Sequence, residues 1–336
     1  MRILVYETCQ HEAGFYAISK ALKEKGHDID TFDPTNIFKF KFNLLNRIIN
    51  KFFIYVLIIG INKSFKNKFS KKIYDIIIIM RGEHLMPETL KYIKSFDTKL
   101  VNWSSDDFFN ATTTLKVLDR SNVVKVLKSY DCIFTPRMHL ATEYLKLGAK
   151  RVELLNWYHR PGLKFASEKV PAQNYLYEIS FIGAWSPRRE QILSALPQKL
   201  HIWGWGWGKH ASKNFIKKNI CHGQIGMTKM MSIFNQSKIN INILTVENRD
   251  TTNFRNYEIP ASGGFQLAEW SHDISELFIP NNEIVLFKNE NELVQKTEEY
   301  LRGEKKREEI ARNGYRRVDC YDCSIDSRVS NILSKI

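Results

Sequence analysis

The chain has 336 residues, 43% of them hydrophobic and 12% aromatic, and a net charge of +14. That length suits two domains of about 150 residues, each with its own core, and the apolar content excludes an intrinsically disordered chain. Five scattered cysteines exclude a disulfide scaffold and point to a reducing compartment, the cytoplasm.

The first predicted element is the short apolar run Arg2 to Tyr6, which reads as a strand rather than as a secretory signal. A loop, Glu7 to Glu12, leads into a helical stretch that ends at Gly26, placed as a helix-terminating glycine. Ile29 to Phe32 reads as a second strand. Ile73 to Met80 is a continuous β-branched run of the kind buried on both faces of a parallel sheet. Leu100 to Trp103, Cys132 to Thr135 and Val152 to Leu155 add short strands between helical stretches. From Trp157 to Tyr175 the pattern lapses into Pro, Gly and charge, a linker. It restarts with Tyr177 to Gly183, the strand at His201, Ile239 to Leu244 and the strand before Phe287. This alternation predicts two doubly wound α/β halves. The domains are expected over 1–165 and 175–322, with a last helix inside 323–336.

The positive charge is concentrated. Between Ile37 and Lys72 there are nine Lys or Arg and no Asp or Glu. The same stretch holds Phe38, Phe40, Phe42, Leu44, Leu45, Ile48, Ile49 and the apolar run Phe52 to Ile61, about half the length a spanning helix needs. Apolar bulk with cations and no acids is the profile of a segment lying on an anionic membrane surface. The alternative is a buried helix whose Lys and Arg stems reach outward. No zinc finger, RNP or basic-zipper pattern supports nucleic acid as the partner. Cys320 and Cys323 form a lone C-x-x-C with no second pair and no nearby histidine, so neither they nor any other cluster is assigned a metal.

Two constellations carry chemistry. In Phe181 to Leu193 a strand ends at Gly183, and Pro187 pre-forms the first turn of a helix. Arg188 and Arg189 occupy that turn, where the helix dipole disfavours cations, so an anionic partner is expected. The alternative is a surface arginine paired with Glu190 or another acid. The second is Arg255-Asn-Tyr-Glu-Ile-Pro-Ala-Ser-Gly-Gly264, after a strand and a polar loop. Helix spacing puts Arg255 and Glu258 on one face, as a ligand pair or as a simple salt bridge. Gly263 and Gly264 allow close backbone approach. A cation for phosphate, a carboxylate for hydroxyls and N–H groups for an anion suit a nucleotide sugar.

The segments RNYEIPASGGFQLAEW, LFIPNNEIVLFKNENELVQKTEEYL and REEIARNGYRRV resemble the C-terminal half of the CgeB-like branch of group 1 glycosyltransferases. The matches are Arg255, Tyr257, Glu258, Ala261, Gly263, Gly264, Phe278, Glu283, Ile284, Phe287, Ile310, Ala311, Gly314, Arg317 and Val318. MRILVYE, TLKYIKSFDTKLVNWSSDD and SYDCIFTPRMHLATEYLKLGAKRVELL extend the likeness over nearly the whole chain. The resemblance implies the GT-B fold: two Rossmann-like domains facing a central cleft, with the C-terminal helix crossing back to the N-terminal domain. It implies sugar transfer from a nucleotide-sugar donor to a glycan, lipid-linked or protein acceptor, with retention of configuration and without a cofactor or metal. Gly183, Arg188, Arg189, Arg255, Gly263 and Gly264 would face the donor, and Glu258 its ribose. Counting back eight positions from Glu258 for the family's Glu-x7-Glu pattern lands on Asp250, one methylene shorter than expected.

In the N-terminal half, His11 follows the first strand, where the resemblance places part of the acceptor site; a lone loop histidine is otherwise simply solvated. Asp106 or Asp107 in the WSSDDFF segment could serve as general base or cap the next helix. Arg81 to His84 is a third strand-end loop. Half of WGWGWG, Trp203 to Gly208, is expected to pack rather than bind. Rival readings are a related epimerase or phosphorylase, or a non-catalytic nucleotide-sugar-binding scaffold. The expected location is cytoplasmic, with peripheral contact on the inner face of the membrane as a possibility of the 37–72 segment.

Overall fold

The computed structural model describes residues 1–7, 16–34, 36, 44–82, 84–104, 123–158, 175–246, 251–319 and 323–336. The chain divides into two compact units: Met1–Asn156 with Ile325–Ile336, and Trp157–Ser324.

The first unit contains β1 (Arg2–Tyr6), α1 (Tyr16–Glu24), β2 (Asp28–Phe32), α2 (Leu44–Ser70), β3 (Ile76–Met80), α3 (Pro87–Lys94), β4 (Lys99–Trp103), β5 (Cys132–Thr135), α4 (Met138–Lys146) and β6 (Val152–Leu154). Its six strands are parallel in the order β2-β1-β3-β4-β5-β6. Tyr6 of β1 stands between Phe32 and Ile79 in register. All five residues of β3 are buried, because helices cover both faces of a parallel sheet and leave no polar side. The chain turns back across β1 between β2 and β3, so the carboxyl ends of β1 and β3 flank a topological switch point.

The second unit contains β7 (Tyr177–Ile182), α5 (Pro187–Ser194), β8 (His201–Trp203), α6 (Trp207–His210), α7 (Lys213–Lys218), β9 (Ile220–Cys221), α8 (Met227–Asn235), β10 (Ser237–Asn242), α9 (Phe254–Ala261), β11 (Gln266–Glu269), α10 (His272–Leu277), β12 (Val285–Phe287), α11 (Glu290–Arg302) and α12 (Glu304–Val318). Its sheet order is β12-β11-β10-β7-β8-β9, all parallel. Read from β9, this is the doubly wound dinucleotide-binding order, with the switch point at the carboxyl ends of β7 and β10. Within the second unit, Trp203 and Trp207 are buried while Trp205 is 54% exposed, so two of the three tryptophans in that glycine-rich run pack.

The last helix, α13 (Ile325–Ser334), belongs to the first unit. It is tied there by Arg328 Nε donating to Asn156 O at 2.9 Å, Arg151 Nη1 donating to Lys335 O at 2.7 Å, and an ion pair between Lys335 and Glu153.

The 37–72 segment is partly buried and partly exposed. Residues 37–43 lie outside the described residues, Leu44–Ser70 forms the long helix α2, and Lys71 and Lys72 follow it. Its residues Ile61, Phe65 and Phe69 enter the core of the first unit, and Ile58 is buried too. Lys72 bonds Asp28 and Asp30 at 3.1 and 3.0 Å. The Lys72 hydrogen bond outweighs desolvation and holds the Asp30 carboxyl below its ordinary range, with Tyr74 Oη also donating to it at 2.9 Å. Part of the segment is therefore ordinary core. Among the described residues no helix is long and apolar enough to cross a membrane.

Candidate functional site

The candidate site lies on the second unit's switch point. Pro187 opens α5 at its first helical position, and Ser186 caps it, its Oγ accepting from Arg189 N at 3.3 Å. The next two residues are thereby held beside the ends of the neighbouring strands. Arg189 Nη1 donates to Ala184 O at 2.9 Å and Nη2 to Ile243 O at 2.8 Å, with the guanidinium 5.5 Å from the Phe181 ring centroid. Arg188 Nη1 donates to Leu244 O at 3.3 Å and to Glu269 Oε2 at 3.1 Å, and Nη2 bonds Glu269 Oε1. Arg188 thus pairs with the last residue of β11. Glu190 instead accepts from Trp185 Nε1 at 2.7 Å and Ser212 N at 2.8 Å.

The second helix of the site, α9, is set by amides. Asn253 and Asn256 form a capping box, with bonds of 3.2 and 2.9 Å. Asn253 also exchanges two side-chain bonds, 3.2 and 3.1 Å, with Asn242, the last residue of β10. The start of the helix is therefore fixed directly to the strand end. From it Arg255 Nε donates to Ile182 O at 3.2 Å, and its guanidinium lies 5.6 Å from the Phe234 ring. Arg255 Nη1 bonds Glu258 Oε2, and Glu258 is 1% exposed. The salt bridge allowed by the i,i+3 spacing is formed. Three guanidinium groups consequently meet the carbonyl groups at the ends of β7 and β10, two of them also paired with a carboxylate, Arg188 with Glu269 and Arg255 with Glu258.

Gly183 belongs to the same edge. A Cβ on it would stand 3.2 Å from Arg189 Nη1 and 3.0 Å from Phe181 Cζ, so a side chain there would displace the guanidinium.

Gly263 and Gly264, expected to face the donor, lie at the far end of α9, and both their N–H groups are already hydrogen-bonded within the chain. Gly263 N donates to Pro260 O at 2.8 Å and Gly264 N to Ile259 O at 3.0 Å, a helix-terminating motif that engages both N–H groups. Gly263 has φ 75°, the left-handed conformation the motif needs. A Cβ on Gly264 would lie 2.7 Å from Phe234 O and 2.8 Å from Asn240 Nδ2. These glycines serve the closure of α9 and its packing before β11, at the opposite end of the helix from the arginines.

His11, Asp106, Asp107 and Asp250 lie outside the described residues. Glu269 carries no motif around it; its available signal is an acid closing a buried strand, FQLAEW, at a carboxyl edge.

Glu7, which begins the loop after β1, is a second residue whose environment emerges only in three dimensions. It is 0% exposed, its N–H bonds Phe32 O at 3.0 Å, and its Oε1 accepts from Ser19 Oγ at 2.6 Å. Its Oε2 has no hydrogen-bond partner among the described residues. Burial pushes its carboxyl up to about 7, against the Ser19 hydrogen bond and with help from Asp33. At the first sheet's switch point, Arg81 follows β3 with φ 63°, a strained conformation for a non-glycine residue. Among the described residues no group of three or more His, Cys, Asp or Glu is placed to hold a metal ion.

Comparison with known proteins finds likeness in sequence and in fold. Residues 188–334 match the family described as glycosyl transferase-like. The spore protein CgeB of Bacillus subtilis is 22% identical over 264 residues, 72% of this chain and 77% of that protein. Among solved structures, sucrose-phosphate synthase of Thermosynechococcus elongatus superposes with a TM-score of 0.71 at 12% identity, covering 100% of this chain and 98% of the other. The HepE protein of Anabaena, in complex with UDP-glucose, gives 0.65 at 12% identity with full coverage of both chains. A glycosyltransferase of Rickettsia africae gives 0.65 at 14% identity, covering 99% and 97%. The chain therefore has the fold of these structures, GT-B. In sequence, its second half is similar to the glycosyl transferase-like family, and much of the chain is similar to CgeB.

Proposed function

We propose that the chain transfers a sugar from a nucleotide-sugar donor to a hydroxyl of a glycan, lipid-linked or protein acceptor, with retention and without a metal. The observation that carries this reading is the convergence of Arg188, Arg189 and Arg255 on the carboxyl ends of β7 and β10. In the reaction the acceptor oxygen bonds to the anomeric carbon as that carbon's bond to the diphosphate oxygen breaks, and the proton leaves the acceptor. Negative charge builds on the departing diphosphate, and preorganised cations are most effective where charge develops. Three guanidinium groups supply that charge from the protein itself. Glu258 receives the ribose hydroxyls, and Arg255, bonded to it, fixes its orientation. Retention, the general-base role of Asp106 or Asp107, acceptor contact by His11 and donor contact by Asp250 rest on the sequence resemblance.

The test is thermal stabilisation of the full chain by UDP, GDP, CDP, dTDP and ADP, with UDP first because HepE is described with UDP and UDP-glucose. A ligand at about a hundred times its dissociation constant adds roughly 2.7 kcal/mol, so one nucleotide should stand clear of the others. No response to any of the five would remove the donor assignment. Product analysis of the matching nucleotide sugar, with and without added glycan, then separates transfer from epimerisation or phosphorolysis.

A further inference from the structure

The outward face of α2 carries apolar groups and cations together. With about 100° between successive residues, Ile58, Ile61, Asn62, Phe65 and Phe69 fall on one arc, and all five are buried. The arc flanking it on one side presents Tyr55, Val56 and Ile59, which are 60%, 60% and 56% exposed. Exposed Lys63 and half-buried Lys66 follow on that same arc. Asn62 locks the rotation of the helix: its Nδ2 donates to His84 O at 2.8 Å and its Oδ1 accepts from Met86 N at 2.9 Å. The apolar arc therefore cannot roll into the core.

Beside this arc a groove of about 390 Å³ runs between α2 and the start of α3. Ile59 and Met86 give it apolar walls, Lys63 and Lys66 add cations, and Glu88 is the acid among its lining residues. Lys66 Nζ stands 5.6 Å from the ring centroid of Tyr92. Tyr92 and Phe96 are 36% and 40% exposed and continue the apolar strip onto and just beyond α3. Over its 27 residues α2 has no Asp or Glu and five Lys or Arg.

We infer that this face docks on a bilayer surface containing anionic lipid, with Tyr55, Val56 and Ile59 entering the headgroup region and Lys63 and Lys66 meeting lipid phosphates. Large exposed apolar groups clustered on one helix face mark an interaction surface. The accompanying charge selects the occupant: a second copy would bring the same lysines against these, whereas an anionic headgroup layer neutralises them. The helix lies on the surface, since it does not meet the requirement for spanning. This inference is independent of the donor site and of the reaction.

The test is co-sedimentation of the full chain with vesicles of phosphatidylcholine alone and with vesicles that also contain phosphatidylglycerol. Binding is expected to the anionic vesicles, to weaken as salt is raised, and to fall about thirtyfold in Lys63→Gln/Lys66→Gln, at roughly fivefold per cation. Val56→Ser/Ile59→Ser should also weaken it, separating insertion from charge attraction. All four positions lie outside the core, so unchanged melting of both variants checks folding. Equal binding to the two vesicle types, indifference to both double substitutions, or no binding by the wild type would each overturn the inference. So would self-association that Val56→Ser/Ile59→Ser abolishes in a protein that ignores vesicles.

Discussion

Arg188, in the first turn of α5, and Glu269, the last residue of β11, form a two-pronged ion pair across the carboxyl edge of the second sheet. The same carboxylate accepts Leu244 N at 3.1 Å, so one acid ties together the ends of β10 and β11 and the start of α5. A diphosphate arriving at this edge would compete with Glu269 for Arg188. Replacing Arg188 and Arg189 together with Ala should weaken nucleoside diphosphate binding about ten- to a hundredfold, since hydrogen bonds to charged groups are worth about 1.5–3 kcal/mol. Nucleoside binding should change little. Glu269→Gln keeps an acceptor for Leu244 N but removes the competing charge, and should bind the diphosphate severalfold more tightly. Calorimetric titration of both ligands checks this; equal losses for nucleoside and diphosphate in the double variant would remove the arginines from the phosphate site.

Arg255 and Glu258 should respond asymmetrically. Arg255→Ala leaves a carboxylate that is 1% exposed without its guanidinium, a change that costs about 3–5 kcal/mol when a buried pair is broken. Glu258→Gln keeps the size and a hydrogen-bonding oxygen, so its cost should be smaller, about 1–3 kcal/mol. Transfer should nevertheless be nearly abolished in Glu258→Gln. Urea unfolding beside donor turnover separates the two effects. A fully active Glu258→Gln enzyme would show that ribose recognition lies elsewhere.

The glycines at the end of α9 should affect stability and not binding. Gly263→Ala places a Cβ at φ 75°, which costs about 1–2 kcal/mol. Gly264→Ala drives a Cβ to 2.7 Å from a backbone carbonyl, and strain of that kind costs about 1–3 kcal/mol. Both variants should melt lower and bind the nucleoside diphosphate with unchanged affinity. A selective loss of affinity would return these glycines to the donor site.

Glu7 should leave a signature in stability against pH. Its folded carboxyl titrates near 7, compared with 4.5 when unperturbed, so between those values the folded protein holds a proton that the unfolded chain has released. Its stabilising contribution is complete below pH 4.5, falls as pH rises through the window, and is absent above 7. The drop is on the order of 3 kcal/mol, at about 1.4 kcal/mol for each tenfold change in proton affinity. Glu7→Gln cannot titrate there, so the difference in unfolding free energy between variant and wild type should vary across pH 4.5–7 and level off above it. A difference that is constant with pH would show an ordinary Glu7 carboxyl.

The α/β alternation is legible in the chain, because buried parallel strands must be apolar on both faces. Ile76 to Met80 and Cys132 to Thr135 declare this without reference to any neighbour, although the apolar pattern starts three residues early, at an exposed Ile73. The sequence also marked Arg188, Arg189, Arg255 and Glu258, since helix starts and i,i+3 spacing are local properties of the chain. Strand order, and with it which loops share an edge, was decided only in the tertiary structure. Glu269 meets Arg188 across 81 residues, and no local pattern encodes a pair at that separation. The two glycines after α9 look alike for anion binding and for helix termination until the partners of their N–H groups are seen. In α2 the lysines and apolar residues are evident in the sequence, but their division between core and surface depends on the rotation fixed by Asn62. A helix 27 residues long exposes whichever arc its tertiary anchor leaves outside.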